Sequence, residues 1–83
     1  MTYELPCLDN RKSFYNKAFV REENGEKELI SYLTTVCRID SEGGFHRLWS
    51  DYSATTMWHV NSFRRLNGMR AISKSEWDEM EVE

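Results

Sequence analysis

Tyr52-Ser53-Ala54-Thr55-Thr56-Met57-Trp58-His59-Val60-Asn61-Ser62-Phe63-Arg64-Arg65-Leu66-Asn67-Gly68 is the stretch where the residue pattern changes period, and it decides the fold class. Ser53 is a good helix N-cap, because its side-chain oxygen can accept an otherwise unpaired amide of the first turn. Tyr52 and Met57 occupy the two positions of a hydrophobic staple. Gly68 suits the C′ position, where a left-handed backbone ends a helix. Advancing about 100° per residue, Thr56, His59, Val60, Phe63, Leu66 and Asn67 share one face, and Trp58, Asn61 and Arg65 lie opposite. The first set is expected to pack inward and the second to meet solvent.

Upstream of this helix the period is two. From Ser13 to Arg21, Phe14, Ala18 and Val20 fall on one parity, with Tyr15, Lys17, Phe19 and Arg21 on the other, as in a strand. Asn24-Gly25 is a strong hairpin signal, since both residues tolerate the positive φ of a type I′ turn. The segment from Glu28 to Ile39 is rich in β-branched and aromatic residues and is expected to return as one long strand. Asp40-Ser41-Glu42-Gly43-Gly44 makes a second turn, and Phe45 to Trp49 a short third strand.

Downstream, Ser73-Lys74-Ser75-Glu76 is a capping box, with Ile72 and Trp77 placed as its staple. The helix that follows is too short to persist alone, so Trp77 must dock on the rest of the chain. The expected fold is α+β: a three-stranded antiparallel β-meander packed against one main C-terminal helix, with a short second helix at the end. All 83 residues form one domain in this scheme, since two cores would each be too small. Residues 1–12 are an irregular arm, 13–49 the meander, 53–68 the main helix and 73–81 a short acidic helix.

Composition narrows the function classes. Four phenylalanines, four tyrosines and three tryptophans supply a core for so short a chain, each large ring burying roughly 150–250 Å². Cys7 and Cys37 are too few for a disulfide scaffold and point to free thiols in a reducing cytoplasm. No apolar run has the ~20 residues of a membrane helix, and Met1 to Pro6 has no secretory pattern. The net charge of −3 combines a mildly basic centre with an acidic end carrying Glu76, Asp78, Glu79, Glu81 and Glu83.

Chemistry-bearing clusters are sparse. Cys7, Cys37, His46 and His59 are the only soft or borderline metal ligands, and no two have the close spacing of a zinc site. Neither a metal nor another cofactor is expected. Pairing Cys37 with His46 or His59 would give a nucleophile and a base, but nothing in the sequence predicts that they meet. No catalytic residue is assigned, and the chain is expected not to be an enzyme. DNA binding through the sheet would draw on Tyr15, Lys17, Arg21, Arg38 and Arg47, with Arg64 and Arg65 on the helix. Glu22, Glu23, Glu26 and Glu28 crowd the same hairpin and oppose the phosphate neutralisation that such binding needs.

Protein binding is the favoured class. Trp58, Asn61 and Arg65 on the outer helix face have the composition of an interface hot spot, although Trp58 would serve equally well as a cover for the arm or the last helix. Glu76, Asp78 and Glu79 add an electrostatic supplement toward a basic partner.

Three stretches carry a family resemblance: Lys12-Ser13-Phe14-Tyr15-Asn16-Lys17-Ala18, Ser31-Tyr32-Leu33-Thr34-Thr35-Val36, and Tyr52-Ser53-Ala54-Thr55-Thr56-Met57-Trp58-His59. With Phe63 and Asn67-Gly68, they resemble a family of small uncharacterised proteins borne by bacteriophages and mobile elements. Tyr-Ser-x-Thr-Thr-x-x-His is its most specific part, and the likeness runs from about Lys12 to Trp77. The resemblance implies no catalytic residue. It implies a phage-encoded module in the cytoplasm of an infected host that binds a host or defence-system protein, in the specific case as an inhibitor of a defence nuclease of the anti-CRISPR type. A small DNA-binding regulator and a virion-assembly subunit are the alternatives.

Overall fold

The computed structural model describes residues 1–6 and 17–83. Within them the chain forms β1 (Thr2–Glu4), β2 (Ala18–Glu23), β3 (Glu26–Ser31), β4 (Thr34–Ile39), β5 (Phe45–Arg47), α1 (Ala54–Leu66) and α2 (Lys74–Glu79). The strands make one antiparallel sheet in the order β1-β2-β3-β4-β5. The fold is α+β, as expected, but the sheet has five strands where three were expected.

Two local events account for the difference. Thr2 to Glu4, assigned to the irregular arm, pair with Arg21, Val20 and Phe19. The segment from Glu28 to Ile39, expected as one strand, turns back on itself at Tyr32-Leu33, whose φ angles are 48° and 71°. Ser31 then faces Thr34 across a two-residue loop. The Asn24-Gly25 turn forms where expected, with φ of 54° and 81° and Glu23 opposite Glu26. The start of the first expected strand, including Phe14 and Tyr15, and Cys7 lie outside the described residues. Cys37 is a free, buried thiol.

A bulge shapes β4. Leu29 pairs with Cys37 but Ile30 with Thr35, so Val36 has no register partner. An extra residue resets the alternation of side chains, and consecutive Val36 and Cys37 are both buried. The Val36 carbonyl instead accepts the Leu48 and Trp49 amides at 2.9 and 3.2 Å. The core gathers Ala18 and Val20 of β2, Leu29 of β3, Val36, Cys37 and Ile39 of β4, Met57, Val60 and Phe63 of α1, and Leu5, Ile72 and Trp77.

Both helices keep their expected caps. Ser53 accepts the Thr56 amide at 3.0 Å. At the far end Gly68 has φ of 79°, and the Gly68 and Met69 amides bond to the Arg65 and Arg64 carbonyls. That pair of bonds is a Schellman motif. Ser73 and Glu76 form the full capping box, and Trp77 is buried.

The buried face of α1 departs from the expected one. Thr56, His59, Val60 and Phe63 are buried, but so are Met57, Ser62 and Arg64, while Leu66 is 37% exposed. The helix therefore packs on two sides. The sheet takes one, and the 69–72 linker takes the other, through Asn61 to Ile72 and Arg64 to Arg70.

Two arginines lie inside this packing. Arg47 donates to the carbonyls of Trp49, Ser50 and Trp77 at 2.7, 2.9 and 2.8 Å and sits 4.6 Å from the Trp77 ring centroid. Arg64 donates to the Arg70 carbonyl at 2.9 Å and lies over Phe45 at 4.5 Å. Carbonyl dipoles and aromatic faces offset part of the cost of removing each guanidinium from water. The short α2 and the linker gain a fixed position from these bonds.

Candidate protein-binding surface

The most unusual local geometry is the Tyr32-Leu33 turn. In the left-handed region the side chain of an L-residue crowds its own carbonyl, costing roughly 1–2 kcal/mol per residue, and glycine escapes the penalty. Tyr32 and Leu33 both occupy that region. Their side chains nevertheless project outward, 52% and 95% exposed. Leu33 thus returns almost nothing to the core for the backbone conformation it holds.

The base of the turn is firmly built. The Tyr32 amide donates to the Lys17 carbonyl at 2.9 Å. Ser31, buried beneath the turn, lies 2.8 Å from His59 Nδ1 and 3.3 Å from Thr56 Oγ1. The His59 ring stands 5.7 Å from the Tyr32 ring and 6.1 Å from that of Trp58. Burial, with a smaller contribution from Lys17, pushes His59 down to about 4, so it is neutral at physiological pH. The result is an exposed apolar projection on an uncharged, hydrogen-bonded floor, and Trp58 flanks it through His59.

The six residues expected to contact a partner fall into different settings. Trp58 is half-buried against the core. Asn61 uses its amide to donate to the Ile72 carbonyl at 3.0 Å and to accept the Ile72 amide at 2.9 Å. It pairs with the linker as a strand would, so it has a structural duty. Arg65 and Glu79 are exposed. Glu76 is engaged by Ser73 and by Arg70, and these contacts hold its carboxyl down at about 2, the Arg70 hydrogen bond contributing most. Asp78 pairs with Lys74 at 2.8 Å.

Sequence reasoning missed Tyr32 and Leu33, since neither residue signals a turn. The one available clue was length, because a strand from Glu28 to Ile39 would be about twice the usual five to six residues.

The basic residues considered for DNA are scattered or engaged. Arg47 and Arg64 are buried. Arg21 bonds to Glu28, and Arg38 lies 3.6 and 3.9 Å from Glu26 and Glu83. Lys17 and Arg65 are exposed, and Tyr15 lies outside the described residues. Cys37 is fully buried, and burial pushes its thiol well above the usual range, so it holds no thiolate for nucleophilic attack. Among the described residues no group of three or more metal-ligating side chains is placed to hold an ion, and no described helix is long and apolar enough to cross a membrane.

Comparison with curated proteins and with solved structures yields no match. A family model does match, over residues 3–79. The chain therefore belongs to a family of unknown function, DUF8033.

Proposed function

We propose that this domain is a non-enzymatic protein-binding module whose principal contact is the Tyr32-Leu33 turn, flanked by Trp58. The observation that carries the reading is the pairing of a costly backbone with nearly full exposure of Leu33. Such outliers persist where the surrounding structure enforces them, and they cluster at functional positions. A projecting aromatic-aliphatic pair on a hairpin hydrogen-bonded at its base suits insertion into an apolar pocket of a partner. Ordering it on binding costs little entropy, because its base is already fixed.

Arg65 and Glu79 are exposed charges that would sit on a different part of the contact. Asn61, Glu76 and Asp78 serve the fold first in this scheme. The finer reading, a phage-borne inhibitor of a bacterial defence nuclease, rests on the sequence resemblance alone. It remains the first partner class to try.

The test starts with a partner captured from a host lysate on the wild-type chain, then titrated against variants. Burying a leucine contributes ~1.5–3 kcal/mol, so Leu33→Ala should weaken binding about tenfold or more. Unchanged affinity in Leu33→Ala and Tyr32→Ala, with loss in Arg65→Ala, would move the surface to α1. Steeply salt-dependent binding to random duplex DNA would replace the proposal with the DNA-regulator reading. Self-association in sizing chromatography would favour a structural subunit.

A further inference from the structure

The outer edge of β5 pairs with Val82 and Glu83. Val82 forms an isolated parallel bridge with Arg47, and the Glu83 amide donates to the Arg47 carbonyl at 2.8 Å. Beside this short pairing, His46 sits between two carboxylates. Its Nε2 is 2.6 Å from Asp40 Oδ2, and its Nδ1 contacts Glu83 Oε2.

A neutral imidazole has one N–H and one bare nitrogen, so it can donate to only one of two carboxylates, whereas the imidazolium donates to both. We propose that Asp40, His46 and Glu83 form a proton-dependent latch, closed when His46 is protonated, that holds the Val82-Glu83 segment over the β5 edge and lets it go when the proton leaves.

The geometry also says which carboxylate departs. Asp40 accepts the Glu42 and Gly44 amides at 2.9 and 2.8 Å, which anchor it within the β4–β5 turn. The Glu83 side chain is 46% exposed and reaches its other cation, Arg38, only at 3.9 Å. Loss of the proton therefore leaves the Asp40–His46 contact in place and frees Glu83.

The groups facing His46 come from every neighbouring segment. They are Arg38, its register partner on β4, Asp40 in the turn and Glu83 in the tail. Glu26 at the start of β3 draws on Arg38 from the far side. The hydrogen bonds from Asp40 first and Glu83 second raise the His46 pKa, against burial and the positive charge of Arg38. Asp40 is held down at about 2, chiefly by His46 and then by the Gly44 amide, and so stays ionised across the working range.

A raised histidine pKa fixes the sign. The latch is fully formed below the ordinary histidine value of ~6.5 and opens as pH rises through the higher folded-state value. Opening releases the Arg47 carbonyl on the edge of the sheet.

The experiment follows His46 ring signals and carbon-detected backbone signals of Val82 and Glu83 by NMR across neutral and alkaline pH, in the wild type and in Glu83→Gln. Glu83 is at the surface, so the variant keeps the fold. The expected result is loss of order at Val82 and Glu83 in step with His46 deprotonation. Glu83→Gln should lower the pH at which His46 titrates and uncouple the tail from it. A tail that stays ordered throughout, a tail transition at a different pH from His46, or a His46 titration unmoved by Glu83→Gln would each overturn the proposal.

Discussion

At one end of β3 the chain reverses through Asn24-Gly25, and at the other through Tyr32-Leu33. The φ pairs are nearly the same, 54° and 81° against 48° and 71°. Both turns suit the right-handed twist of antiparallel strands, yet their chemistry is opposite. Asn24-Gly25 adopts the conformation at low cost. Tyr32-Leu33 is held in it by the sheet on either side and by the Ser31–His59–Thr56 floor beneath. A turn can therefore be specified from within or imposed from outside, and an imposed turn can carry side chains that serve something other than the turn.

Exchanging the two chemistries probes that contrast most severely. Asn24→Tyr combined with Gly25→Leu should destabilise the protein by about 2–4 kcal/mol, the left-handed penalty for two bulky residues. A Cβ at Gly25 meets Ser41 Cβ at 3.4 Å, an ordinary contact, so the loss is chiefly backbone strain. Urea unfolding would report it as a lower midpoint with an unchanged slope. A loss under about 0.5 kcal/mol, within the range of a neutral surface change, would dissolve the distinction between the turns.

Acid should act next most strongly, through the histidine under the apolar turn. His59 is pushed down to about 4 by burial, so the unfolded chain binds a proton that the folded one refuses. Stability should fall as pH drops from the unfolded value of ~6.5 toward 4, by on the order of 2–3 kcal/mol. His59→Gln should flatten that slope in unfolding titrations at pH 7 and 4.5. Asp40 and Glu76 are both held at about 2 and contribute their losses at lower pH.

The reverse exchange, Tyr32→Asn with Leu33→Gly, should raise stability by about 1 kcal/mol. Relief of the left-handed strain exceeds the lost Tyr32–His59 ring contact, which is worth ~0.5–1.5 kcal/mol. In a domain of this size that corresponds to a melting temperature about 4–8 °C higher. A lower melting temperature would mean that Tyr32 belongs to the packing more than to the surface. The smallest effect on stability is expected from Leu33→Ala, within about 0.5 kcal/mol of the wild type. The same variant is expected to lose partner affinity, and that separation of stability from binding is what distinguishes a contact residue from a core residue.

Legibility in the sequence follows the range of the signal. Ser53 and Gly68 bracket α1, and Ser73 with Glu76 starts α2, because capping involves groups three or four residues apart. Asn24-Gly25 is legible for the same reason. Of the candidate contact residues, Arg65 is exposed as helical spacing suggests, while Asn61 is drawn into a bond with Ile72, eleven residues away. The candidate surface itself was hidden, since Tyr32 and Leu33 have the composition of a strand interior.

The sequence by itself determined the span of α1, the start of α2, the first hairpin and the mixed α+β character, because each depends on local hydrogen bonds and side-chain periodicity; α2 stops at Glu79, short of the expected residue 81. The tertiary structure alone decided that Thr2 to Glu4 join the sheet, that the segment from Glu28 to Ile39 folds in two, and that Arg47 and Arg64 lie inside. Those outcomes depend on partners distant in the chain. A strand needs another strand's open edge, a left-handed turn at bulky residues needs neighbours that outweigh its strain, and a buried guanidinium needs carbonyls gathered from segments some thirty residues apart, as Arg47 and Trp77 are.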